Sequence, residues 1–189
     1  MRQLLARFRL ADVALKAVGV GSVGTRCAVS LMVGDHPDDV LVIQGKQAEP
    51  SVLAPHLPEL QAPAHQGERV VQGQRLMQTA SDPFLGWATN PLGQSLYFRH
   101  FRDWKASVDV AQLDADGLKD YGKLCGWSLA KAHARSGDRR AIAAHIGDPK
   151  AYGRQLLELA TEHADWAVHD HALLLRGIAS GRISTSEMV

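Results

Sequence analysis

The segment Gly19-Val20-Gly21-Ser22-Val23-Gly24 spaces three glycines so that side-chain-free backbone can approach a phosphate and turn its N–H groups toward the oxygens. Downstream, Val42-Ile43-Gln44-Gly45-Lys46-Gln47-Ala48 sets a lysine near the end of an apolar run, where an ammonium can pair with phosphate charge. Glu68 opens the next helical segment and is the acid placed to hold that lysine, with Gln74 and Arg75 on the same segment able to take a related role. Each feature also has a plainer explanation. Glycines cluster in ordinary hairpins, an outward lysine guards a sheet edge, and an acid is favoured in a helix's first turn.

What flanks the glycines separates the phosphate-binding architectures. A dinucleotide site needs strand, glycine turn and then helix, because the pyrophosphate rests on the helix N-terminus. Here Thr25-Arg26-Cys27-Ala28-Val29-Ser30-Leu31-Met32-Val33 follows, β-branched and alternating as a strand is, so that reading falls. A glycine loop between antiparallel strands with a lysine on the third strand is instead the order found in kinases.

The remaining chemistry-bearing residues fit that order less well. Ala132-His133-Ala134-Arg135-Ser136-Gly137-Asp138 offers Asp138 as a base, but no asparagine or second aspartate follows at metal-holding spacing, and the sole asparagine, Asn90, sits in a turn. The segment reads as a helix C-terminus, with His133 and Arg135 complementing the dipole. His163, His169 and His171 lack the spacing of a metal site. No catalytic or metal-ligating residue is assigned.

Three strands are expected to position the glycines and the lysine: about Val13–Val20, Thr25–Val33 and Val40–Gln47, the last two joined through the turn-rich Gly34-Asp35-His36-Pro37-Asp38-Asp39. Residues 50–63 hold four of the eight prolines and read as a connector with one short helical turn. A helix over Glu68–Thr79 ends at Ser81-Asp82-Pro83, and strands at Phe84–Ala88 and Ser95–Phe101 flank the turn Asn90-Pro91-Leu92-Gly93. A helix from Asp116 to about Ser136 carries Leu118, Tyr121, Cys125, Leu129 and Ala132 on one face, with Gly122 and Gly126 as a packing groove. A last helix, about Ala151–Ile178, is expected to bury Tyr152, Leu156, Leu159, Ala167, Leu174 and Ile178. The fold class is therefore α+β: a small antiparallel five-stranded sheet with one helix, then a helical half. Residues 10–105 form the glycine-loop and lysine-strand lobe, 106–183 the helical segment and 184–189 a tail.

Composition sets the outer bounds. The 189 residues carry 21 Lys plus Arg against 20 Asp plus Glu, a net charge of +1, without the basic excess that drives nucleic-acid binding. Hydrophobic residues make up 46% and charged residues 22%, as in a folding domain. Two cysteines argue against a disulfide framework, and Arg2, Arg7, Arg9, Asp12 and Lys16 interrupt the apolar N-terminus, so no signal peptide or membrane span is expected. A cytoplasmic location follows as the expectation.

Six motifs resemble a bacterial family, domain of unknown function 2252. They are Val18-Gly19-Val20-Gly21-Ser22-Val23-Gly24-Thr25-Arg26, Arg69-Val70-Val71-Gln72-Gly73-Gln74-Arg75-Leu76-Met77-Gln78, Asp82-Pro83-Phe84-Leu85-Gly86-Trp87, Arg102-Asp103-Trp104-Lys105, Leu124-Cys125-Gly126-Trp127 and Ala132–Asp138. They occur in the family's order over about residues 10–183. Departures are Gln47 in place of a usual glutamate, Trp104 in place of methionine, and Glu68 where glutamine is frequent. The family resembles protein and aminoglycoside kinases with its parts permuted, its catalytic-loop and metal segments lying upstream of the glycine loop. The resemblance implies a kinase N-lobe-like sheet that binds ATP through Gly19, Gly21, Gly24 and Lys46, with Glu68 beside them. Mg2+ would come with the nucleotide, its ligands outside this chain. The expected function is the ATP-binding portion of a kinase-like phosphotransferase, inactive without its catalytic half. Its partners would be a nucleotide and that half or another protein, with no nucleic acid and no membrane. The alternative is a non-catalytic nucleotide- or protein-binding module, or an inert fragment.

Overall fold

The computed structural model describes residues 2–17, 19, 24–36, 38–57, 63–101 and 107–185. A four-residue helix α1 (Arg2–Leu5) precedes strands β1 (Arg9–Leu15), β2 (Cys27–Val33) and β3 (Val40–Gln47). Helix α2 (Gln66–Met77), strands β4 (Gly86–Thr89) and β5 (Ser95–His100), and helices α3 (Ala115–Ser136), α4 (Arg139–Ile146) and α5 (Pro149–Ala179) follow. The strands form one antiparallel sheet in the order β1-β2-β3-β5-β4. The architecture is the expected α+β sheet with one helix, α2, between β3 and β4.

Local chemistry accounts for the elements. The β2–β3 turn closes through Gly34 N–H to the Asp39 carbonyl at 2.7 Å. In the β4–β5 turn, Asn90 Oδ1 accepts from Leu92 and Gln94 N–H groups, while Gly93 takes a φ of +77° that a side chain would resist. Helix α2 is capped by His65, whose Nδ1 accepts the Glu68 N–H at 3.2 Å. Asp114 Oδ1 caps α3 through the Gly117 N–H at 2.8 Å.

The core lies where α2 meets the sheet. Val71 on α2 is 0% exposed and Leu85, just before β4, is 1% exposed; Cys27 and Ala48 are buried as well, and so are Leu41 and Ile43, which by register belong to the sheet's other face. On one sheet face Phe98 lies across Gly45, where a Cβ would come within 2.9 Å of the ring. That face carries a half-open apolar cavity of about 260 Å3 lined in part by Ser30, Met32, Ile43, Ala88 and Phe98.

Several boundaries differ from expectation. The first strand starts at Arg9 rather than Val13 and ends at Leu15. It is an edge strand, exposed along its length, with a bulge between Leu10 and Asp12, so pairing with β2 rather than apolar alternation defines it. Among the described residues nothing lies within 4 Å of a Cβ placed at Gly122 or Gly126, so the expected packing groove is not seen there. Leu118, Leu124, Trp127 and Leu129 of α3 are exposed, and only Ala132 is buried. Helix α4 was not expected: Asp138, read as following a helix end, also caps a new one, accepting from Arg140 and Ala141 N–H groups at 2.8 and 3.2 Å.

The chain divides into two compact units, Met1–Gly137 and Asp138–Val189. In the second, Asp148 caps α5 through the Lys150 and Ala151 N–H groups, and Pro149 occupies its first turn. The His145 and Tyr152 rings meet edge-on at 6.4 Å. Beyond α5, Ile183 N–H returns to the Gly177 carbonyl at 3.1 Å. Leu156, Leu159 and Leu174, expected to be buried, are 48%, 49% and 45% exposed. Periodicity identifies residues that share a helix face; it does not supply a neighbour to cover them.

Candidate functional site

Strand register decides which side chains meet. Cross-strand partners share a face, so Cys27 on β2, Lys46 on β3, Tyr97 on β5 and Trp87 on β4 form one row across the sheet. Lys16, just past β1, donates its N–H to the Cys27 carbonyl at 2.9 Å, and its ammonium sits 5.6 Å over the Phe101 ring. Two residues back along β3, Gln44 stands opposite Val29 and Arg99 on the same face. Thr89, paired with Ser95, also belongs to this face, and its hydroxyl lies 3.1 Å from His65 Nε2 at the start of α2. Lys46 therefore shares its sheet face with the helix that follows its strand, and the apolar cavity lies mainly on the other face, with Trp87 of the edge strand β4 also reaching its lining.

The polar centre of this face is Gln44, only 3% exposed. Its Nε2 donates to Cys27 Sγ at 3.3 Å, while its Oε1 accepts from Arg99 Nε at 3.0 Å and Nη2 at 2.9 Å. The amide is thereby satisfied at both ends, as burial demands. Beside it, burial pushes the Tyr97 phenol above its ordinary pKa; Arg99 pulls it down and Cys27 pushes it up.

The expected site residues are placed as follows. Lys46 is half-buried on β3. Gly19 is exposed between β1 and β2, and Gly24 takes a φ of +81°, a left-handed conformation suited to glycine. Gly21 lies outside the described residues, as does Trp104. Glu68 is in the first turn of α2, where its Oε1 accepts from Gln72 Nε2 at 2.9 Å. Arg75 Nη2 donates to the Leu85 carbonyl at 2.9 Å, tying α2 to the approach to β4. Gln47 accepts the Arg26 N–H at 3.2 Å and donates to Glu49. Asn90 is committed to its turn and Asp138 to the α4 cap.

A family model described as an uncharacterized protein conserved in bacteria, DUF2252, matches residues 1–177. The chain belongs to this family. No curated protein and no solved structure matches it.

Sequence reasoning did not reach Arg99, Gln44, Cys27 and Tyr97 as a cluster in this DUF2252 chain. One signal was present: Gln44 interrupts an apolar strand two residues before Lys46, and a polar residue there needs a partner. Its partner Arg99 lies 55 residues away in sequence and is brought close only by the β3–β5 register.

Proposed function

We propose that this chain binds ATP between its glycine-rich β1–β2 connection and Lys46, as the nucleotide-gripping part of a kinase-like phosphotransferase. The observation that carries the reading is the position of Lys46. It sits on the third strand of a sheet ordered β1-β2-β3-β5-β4, on the face shared with α2, downstream of a glycine run joining two antiparallel strands. Backbone N–H groups of the glycine segment would donate to phosphate oxygens, and the Lys46 ammonium would pair with the α- and β-phosphates. Mg2+ would enter with the nucleotide. The sole asparagine is held in the β4–β5 turn, so the proposal assigns neither metal ligands nor a base to this chain.

Exposed apolar side chains on α3, among them Leu124 and Trp127, favour a second reading as a protein-binding module. Calorimetric titration of the chain with MgATP separates the two. Saturable binding that Lys46→Met weakens about tenfold or more, the scale of a lost charge-assisted contact, supports the nucleotide reading. Absence of binding, or equal affinities for wild type and Lys46→Met, removes it.

A further inference from the structure

Among the described residues, Arg99 is a half-buried cation whose hydrogen bonds go to a neutral group. Its Nε and Nη2 both point at Gln44 Oε1, and among the described residues no carboxylate is hydrogen-bonded to it. A partly desolvated guanidinium normally faces an anion, because a neutral carbonyl offsets little of the charge. The residues of β2, β3 and β5 that share its face include no acid, and Asp12, which shares it on the edge strand β1, is separated from β5 by β2 and β3. Lys46 stands diagonally across from Arg99, a separation of roughly 7–8 Å along a sheet, which two long side chains on one face can span. The guanidinium is also held in place. Cys27 fixes the Gln44 amide, Gln44 fixes one side of the Arg99 fork, and Nη1 remains to donate.

We infer that Arg99 and Lys46 together form a two-cation site for the phosphate groups of the ligand, with Arg99 a second phosphate contact oriented by Gln44. The inference rests on the nucleotide reading for its choice of ligand. It adds a residue to the site and identifies the polyphosphate as the part of the ligand that Arg99 recognises.

The test is calorimetric titration of the full chain with sodium tripolyphosphate, MgATP and adenosine, on wild type, Lys46→Met, Arg99→Gln and Arg99→Lys, each first shown to melt cooperatively. Arg99→Gln should weaken tripolyphosphate and MgATP about tenfold or more, as expected for a lost charge-assisted fork, and leave adenosine unchanged. Arg99→Lys should recover only part of that loss, since a point charge cannot replace the fork. If Arg99→Gln does not fold, Arg99→Lys decides alone, and wild-type affinity for tripolyphosphate overturns the inference. Wild-type affinity in both Arg99 variants with a loss in Lys46→Met also overturns it while leaving the nucleotide reading intact. An Arg99 effect equally large on adenosine overturns it in favour of a base contact. Tripolyphosphate binding that needs Arg99 and Lys46, without any binding of MgATP, sustains the anion site and removes the nucleotide reading. No tripolyphosphate binding by wild type overturns the inference.

Discussion

Arg99 and Gln44, on neighbouring strands, share one oxygen: Arg99 Nε and Nη2 both donate to Gln44 Oε1, at 3.0 and 2.9 Å. The same amide donates to Cys27 Sγ, so three strands are linked through one buried side chain. Such a network is stable when every member is satisfied and costly when one is removed.

Gln44→Leu keeps roughly the side-chain volume but removes the acceptor that the guanidinium uses. We expect a loss of about 1–3 kcal/mol, the penalty for a partly buried donor left without its partner. Urea unfolding measures it, and Gln44→Glu, which restores an acceptor and adds a charge opposite to that of Arg99, should destabilise less than Gln44→Leu. Equal or greater stability of Gln44→Leu would mean that the network contributes packing alone.

Tyr97 connects this network to pH. Burial is the main reason that its phenol holds its proton above the ordinary value of 10.0; Arg99 opposes the shift and Cys27 adds to it. The folded pKa exceeds the unfolded one, so the contribution to stability is fully present below pH 10.0 and is lost as pH rises through the folded value. The stability difference between wild type and Tyr97→Phe should therefore narrow as pH is raised past 10.0. Ultraviolet difference titration should show a tyrosine ionisation phase above pH 10.0 that vanishes in Tyr97→Phe.

Local signals made some elements legible and left others hidden. Strand β3 was found at its exact bounds because an apolar run lies between a turn cluster and a proline-rich connector. The β4–β5 turn declares itself through Asn90, Pro91 and Gly93. Helix α4 was missed because Ser136-Gly137-Asp138 reads equally well as one helix's end and the next one's cap. At the site, Lys46 stood out as a charge in an apolar strand, whereas Arg99 did not, because its significance lies in a cross-strand partner that only register reveals.

Three glycines offer a graded test of packing at the sheet and α2. A Cβ at Gly67 would press into the Leu96 carbonyl, which is backbone and cannot swing away; one at Gly45 would meet the Phe98 ring, which can; one at Gly73 would meet nothing. Gly67→Ala should cost the most, about 1–3 kcal/mol as overpacking does. Gly45→Ala should fall between, and Gly73→Ala should stabilise by about 0.5–1 kcal/mol through helix propensity. Thermal unfolding ranks them, and any order that puts Gly73→Ala below Gly67→Ala contradicts the α2–β5 contact.

The end of α3 is fastened to the end of α2 by one side chain. Arg135 Nε donates to the Leu76 carbonyl at 3.1 Å, Nη1 to Thr79 Oγ1 at 3.1 Å, and Nη2 to the Met77 carbonyl. These carbonyls belong to the last turn of α2 and the residue after it lacks further helix to bond them, so a guanidinium complements both their lone pairs and the negative end of the dipole. Only Arg has donors enough, in a fixed fork, to reach all three oxygens; lysine cannot reproduce the geometry. Because Arg135 is exposed, the global effect of Arg135→Lys should be small, about 1 kcal/mol. The local effect should be larger: hydrogen exchange at residues 76–79 and through the C-terminal turns of α3 should accelerate in Arg135→Lys and in Arg135→Ala alike, with the β2–β3 amides unchanged. Unaltered exchange at residues 76–79 in Arg135→Ala would show that α3 is held against α2 by Ala132 and its apolar neighbours, and that the three hydrogen bonds contribute nothing to the fastening.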